Sequence, residues 1–259
     1  MISLTASYSQ LTTNFDKSLT RVASEPSVKR EADYYKANIG KVKTIDDFMK
    51  DNRLFSFAMT AFGLKDMIYA KGFIKKALTE GVDSAQAFSV KLSDPRFREF
   101  VTTFNFKRND TTTTSSTDAQ QGTVNRYVEQ ALEEQAGAQD QGLQLALYFQ
   151  RKAPSLKDAY SILADKAVYT VVQTALGLPQ ALSGSDIDKQ AKIIGNKVKV
   201  ADFSDPTKLK TFINRFLAQY QAQNSATEFN PAVSLFSSSS PTVDLNTLLS
   251  IQSLKRFGS

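Results

Sequence analysis

Residues 51–64, DNRLFSFAMTAFGL, lie over residues 165–178, DKAVYTVVQTALGL, at a constant spacing of 114 positions. Asp, Thr, Ala, Gly and Leu are identical in the two stretches, and the Leu/Val, Phe/Tyr and Ser/Thr pairs match in kind. Ordinary residue frequencies would give about one identity by chance over such a length. In the first stretch Leu54, Phe57, Ala58 and Ala61 recur at i, i+3, i+4 and i+7, and in the second Val168, Val171, Val172 and Ala175 do the same. That spacing places all four side chains on one stripe of an α-helix. Gly63 and Gly177 close the two runs, where a helix commonly ends in a left-handed residue that only glycine adopts without steric cost. The spacing predicts two buried helices built alike.

The flanks extend the match. Thr44-Ile-Asp-Asp precedes the first stretch and Ser155-Leu-Lys-Asp the second, while Ser93-Asp-Pro follows one and Ser204-Asp-Pro the other. Both flanks are spaced by 111, so each calls for a three-residue gap. Each Ser-Asp-Pro offers a capping side chain and a proline with preset φ, the marks of a helix start. Beyond it Phe97, Phe100, Val101 and Phe104 answer Leu209, Phe212, Ile213 and Phe216, with one residue inserted. Further helical stripes run through Met67, Ala70, Ile74 and Leu78, and through Ile187, Ala191, Ile194 and Val198. No sustained alternation argues for strands. The expected fold is all-α: two diverged copies of a multi-helix unit joined by a polar loop, with helical terminal arms.

Five segments follow. Residues 1–33 form an N-terminal helical arm, with Tyr8, Leu11, Phe15, Leu19 and Val22 at helical spacing, able to dock or to stay partly ordered. Residues 34–106 are the first repeat. Residues 107–122, rich in Thr and Ser, read as a flexible connector or exposed loop. Residues 123–222 hold a long helix and the second repeat. That helix starts on Val124, Tyr127, Val128, Ala131 and Leu132 and continues toward residues 147–149, weakened by Gly137 and Gly142. Residues 223–259 form a joint at Ser237 to Ser240 and a tail whose Leu245, Leu248, Leu249, Ile251, Leu254 and Phe257 share no single face.

The 259 residues contain no Cys, no His and no Trp. Thiolate nucleophiles, disulfides, Cys-ligated metals and the usual neutral-pH general base are thereby excluded. The net charge of +6 is spread along the chain, densest over residues 29–43 around Tyr34 and Tyr35, where Glu31 and Asp33 dilute it. A solvated helix face is the expected reading of that stretch, with nucleic-acid binding disfavoured. No run approaches the about 18 apolar residues of a membrane span. Residues 1–13 lack a basic region followed by an apolar one, so a cleaved signal is not expected.

Paired carboxylates occur at Asp46 and Asp47 and at Glu133 and Glu134, but helix neighbours point apart, so both pairs are expected on the solvated surface. Asp51 and Asp165 stand where a cap or dipole partner is wanted. Phosphate-binding loops, the dinucleotide fingerprint, the nucleophile elbow and the EF-hand pattern are all missing. No catalytic, cofactor-binding or metal-ligating residue is assigned, and no cofactor is expected. The 18 Phe and 9 Tyr fall mostly on helical stripes, which favours core packing over base stacking.

The runs YYKANIGKVKTIDDFM, LSDPRFREF, QQGTV, LEEQAG, LALYFQRKAP, ILADKA and TALGLP resemble the alphaproteobacterial family catalogued as domain of unknown function 1217, over about residues 34–220. The resemblance implies a protein whose gene often lies in or near flagellar gene clusters, and carries over no active site. Exported axial components of flagella lack cleaved signals, usually lack Cys and have helical, poorly ordered ends, which agrees with this chain. The expectation is a non-enzymatic flagellum-associated structural or assembly protein, cytoplasmic or on the flagellum, whose partners are other proteins, flagellar components first. A cytoplasmic adaptor or export chaperone is the alternative, and a basic nucleic-acid-binding regulator a further one.

Overall fold

A computed structural model describes residues 3–228. The serine joint and the apolar tail therefore lie outside the described residues. The chain divides into a compact unit of residues 1–221 and a second of residues 222–259. Every described element is helical, and no strand occurs among the described residues.

The N-terminal arm is ordered and docked. Ser3 caps α1 (Leu4–Thr13) by accepting from the Ala6 amide, and Asn14 breaks the chain before α2 (Phe15–Ala23). Tyr8 and Val22 are buried, and the Tyr8 hydroxyl donates to Gln150 at 2.5 Å. Both side chains belong to the apolar cluster of the later half of the unit, so the arm completes a core far away in sequence. Pro26 then starts α3 (Pro26–Ile39), whose Tyr35 and Ile39 point into the nearer core.

That first core collects α4 (Ile45–Lys50), α5 (Asn52–Ala61), α6 (Lys71–Glu80), α7 (Phe88–Lys91) and α8 (Pro95–Thr103) around Phe48. The Phe48 ring lies against Phe55 edge-on at 5.9 Å and stacks on Phe104 at 4.8 Å, geometries that add to area burial. The stripe from Met67 to Leu78 is not one helix. A 3-10 turn at Lys65–Met67 interrupts it, and α6 opens only at Lys71, with Ile74 and Leu78 buried.

The connector is folded, contrary to the loop expected from its composition. It runs as α9 (Phe106–Asn109), a 3-10 turn at Asp110–Ser115 and a π turn at Asp118–Gly122. Thr113, Thr114 and Ala119 are fully buried. The Thr114 hydroxyl donates to the Val42 carbonyl at 2.7 Å, and the Tyr35 hydroxyl donates to the Ala119 carbonyl at 2.6 Å. Hydroxyls that composition marks as wet instead satisfy buried carbonyls.

The long helix is also two. α10 (Thr123–Gln139) ends at Asp140, which sits in extended backbone and caps α11 (Gln141–Lys152) through the Gly142 amide. A Cβ on Gly142 would meet the Tyr220 ring at 2.6 Å, whereas one on Gly137 would meet the movable amide end of Gln144 at 2.5 Å and the Gln144 Cβ at 3.2 Å. Gly137→Ala is therefore expected to stabilise by roughly 0.5–1 kcal/mol through helix propensity. Gly142→Ala is expected to destabilise by about 1–3 kcal/mol through overpacking. Urea unfolding of the two variants checks the opposite signs.

The second core takes in α11, α12 (Ala159–Leu163), α13 (Lys166–Ala175), α14 (Ile187–Lys197) and the buried face of α15 (Pro206–Glu228). α5 and α13 are built alike. Asp51 accepts from the amides of Arg53 and Leu54, and Asp165 from those of Ala167 and Val168. Gly63 and Gly177 take φ of 70° and 62°, and the amides of Leu64 and Leu178 bond back to Met59 and Gln173 in the same helix-ending motif. Thr44 and Asp158 each form a capping box, which corrects the pairing of Thr44 with Ser155. The Ser155 hydroxyl donates to the Lys152 carbonyl and caps nothing downstream. Thr44 to Asp158 spans 114 positions, so the N-terminal flank needs no gap.

Candidate functional site

Polar groups drawn from both halves line a cleft of about 590 Å³ within the 1–221 unit. One wall is the end of α5 and the start of α8. Asp94 caps α8 through the Arg96 amide and also holds the Arg96 side chain, whose Nη1 donates to the Gly63 carbonyl. Burial works against the Arg96 charge, but the Asp94 carboxylate outweighs it and the net shift is upward.

The other wall comes from α10, α11 and the start of α13. The Tyr148 hydroxyl donates to Asp165 Oδ2 at 2.5 Å, while Asp165 Oδ1 caps α13. Beside them Arg151 forms a two-pronged pair with Glu133, at 2.7 and 2.9 Å, and its guanidinium lies 5.1 Å from the centre of the Tyr148 ring. Burial opposes the Arg151 charge, and the Glu133 hydrogen bond more than offsets it, holding the pKa above the ordinary value. The second partner, Glu129 at 3.8 Å, has its pKa raised, by burial first. Lys152 ties the halves together through Glu99, reaching both carboxylate oxygens at 2.6 Å.

This network corrects the expectation that Glu133 is a surface group. Its side chain is 4% exposed, while its neighbour Glu134 faces solvent and pairs with Lys65. Adjacent residues do diverge, as helix geometry requires, but the divergence sends one of them inward. The partners Glu133 and Arg151 lie on different helices 18 positions apart, a spacing that no motif marks. Asp47 joins a capping box and Asp46 pairs with Lys75 at 2.6 Å. In the basic stretch Lys29 pairs with Asp33 and Arg30 with Glu31.

Chemically, the charged groups of the cleft other than Lys166 are committed to caps and ion pairs. Glu133 is neutralised by Arg151, and the Tyr148 phenol is held protonated by burial and by Asp165. Gln130, Gln141, Gln144, Lys166 and Thr170 also line the cleft, a set suited to polypeptide amides. Among the described residues no group of three or more His, Cys, Asp or Glu side chains is placed to hold a metal ion. Among the described residues no helix is long and apolar enough to cross a membrane.

Burial raises the pKa of Tyr8, Tyr35 and Tyr148 far above the ordinary 10.0. Because the folded values are the higher ones, their contribution to stability is intact below pH 10.0 and is lost as pH rises further, where the unfolded phenols ionise. With no Trp to interfere, tyrosinate absorbance read beside far-ultraviolet circular dichroism should show these three ionising only as helicity is lost.

The chain belongs to the family described as protein of unknown function DUF1217, whose model matches residues 61–209. Its fold is similar to that in an X-ray crystal structure of a protein from Agrobacterium tumefaciens. The two are 41% identical, with 86% of this chain and 96% of that one covered and a TM-score of 0.80. No curated protein matches the chain.

Proposed function

We propose that the protein is a non-enzymatic, flagellum-associated structural or assembly component that works through helical protein–protein contacts, and that its halves arose by duplication of one helical unit. The reading rests most on one observation: the ionised side chains of the inter-half cleft, Lys166 apart, are spent on caps and ion pairs that hold helices together. Duplication is supported by a second pair of matched contacts. The Tyr34 hydroxyl donates to Asp51 as Tyr148 donates to Asp165, each tyrosine 17 residues before its aspartate and each ring beside an arginine.

Deletion of the gene tests the flagellar part. The expected result is impaired swimming, with tagged protein in basal-body or hook fractions or in the medium of strains with an active flagellar secretion system. Normal motility together with absence from all those fractions would overturn it. Retention in the cytoplasm together with capture of a defined export substrate would replace it with the adaptor reading.

A further inference from the structure

Phe62 and Leu176 stand before the glycines that end the two matched helices, with closely similar backbone angles. Phe62 is 5% exposed, packed by Phe100 and covered by the Arg126 guanidinium of α10 at 5.0 Å. Leu176 is only half-buried and opens into a groove of about 320 Å³ between the end of α14 and the start of α15. The groove floor is Leu176, Val198, Phe203 and Phe212. Lys208, Thr211, Phe212 and Arg215 stand at i, i+3, i+4 and i+7, so one stripe of α15 faces it over two turns.

The rim is strongly one-signed. Lys197, Lys199, Lys208 and Arg215 surround a single carboxylate, Asp202, which pairs with Lys208 at 2.6 Å. Lys197, Lys199 and Arg215 form no ion pair among the described residues. We infer that this groove is the docking site for an acidic amphipathic helix of a partner protein, whose apolar residues cover Leu176 and Phe212 while its carboxylates meet the four cations. The inference deepens the protein-contact reading above by naming a surface and the chemistry of its partner.

Charge complementarity selects the acidic partner, and the apolar floor selects a peptide over a nucleic acid, since a phosphate chain would leave that floor wet. A helix is the fitting shape, because apolar residues at i, i+3 and i+4 would follow the two-turn stripe of α15. In the first half, α10, an amphipathic helix of the chain itself, supplies the cover over Phe62.

The test is fluorescence anisotropy on the full chain, using a labelled designed helix with Leu at i, i+3, i+4 and i+7 and Glu elsewhere. Comparison probes are the same helix with Lys for Glu, one with Ser for Leu, and a labelled DNA duplex. The acidic Leu helix should bind best. Lys199→Glu with Arg215→Glu should weaken it at least tenfold, as should Thr211→Trp, which fills the groove without changing charge. Lys17→Glu with Lys157→Glu, outside the groove, should leave binding unchanged, and circular dichroism melts should show every variant folded. Equal binding of the Ser-for-Leu helix, indifference to the groove variants, or DNA binding that outcompetes the peptide and falls in those variants would overturn the proposal. Such a failure beside a motility defect overturns the groove alone; groove binding beside normal motility and absence from flagellar fractions overturns the flagellar assignment alone.

Discussion

Arg151→Met is expected to lower the unfolding free energy by about 3–5 kcal/mol, the usual cost of stripping one partner from a buried ion pair. The loss falls on Glu133, whose side chain is 4% exposed and whose two oxygens both accept from Arg151. Methionine nearly fills the space of the arginine stem but donates nothing, so the carboxylate must either stay charged without its partner or take up a proton. The reverse change, Glu133→Gln, should cost less, because Arg151 is 20% exposed and keeps Glu129 within 3.8 Å. The pair of variants, with the double substitution Glu133→Leu/Arg151→Met, forms a cycle readable by urea unfolding. If the double variant recovers most of the loss, the cost belongs to the stranded charge. Equal small effects from both single variants would show that the pair is wet and worth no more than a surface bridge.

Asp165→Ala should destabilise by about 2–4 kcal/mol, the sum of a lost helix cap and a part-buried hydroxyl left without its acceptor. Asp51→Ala removes the matching contacts in the first half, the amides of Arg53 and Leu54 and the Tyr34 hydroxyl, yet should cost only about 1 kcal/mol, the value of the cap. The difference comes from depth. Burial is the largest influence raising the Tyr148 pKa, whereas for Tyr34 the Asp51 hydrogen bond comes first, so Tyr34 can exchange its partner for water. Tyr148→Phe in the Asp165→Ala background should restore part of the loss by removing the orphaned hydroxyl. Unfolding free energies for the four chains decide it, and equal costs at Asp51 and Asp165 would sink the argument from depth.

Helical class, the stripes of α5 and α13 and their glycine ends were legible because they rest on interactions within a few residues of one another. Leu54, Phe57, Ala58 and Ala61 are buried as their spacing requires, and so are Val168, Val171, Val172 and Ala175. The caps at Asp51, Asp94 and Asp165 depend on the next two or three amides, and they too could be placed. Thr44 and Ser155 show where local resemblance misleads. They look alike in letters, but a cap is defined by the amide it accepts from, and only Thr44 reaches one.

What the chain's own letters determined is therefore the part of the molecule governed by helix periodicity and first-turn hydrogen bonds. Packing decided the rest. The arm of α1 and α2 completes the later core, the threonine-rich connector is buried against Val42, and Glu133 turns inward to Arg151. In each case the partner lies on another element: 142 residues separate Tyr8 from Gln150 and 72 separate Thr114 from Val42. A polar residue is read as exposed until something distant satisfies its hydrogen bonds, and only the assembled helices bring that something within reach.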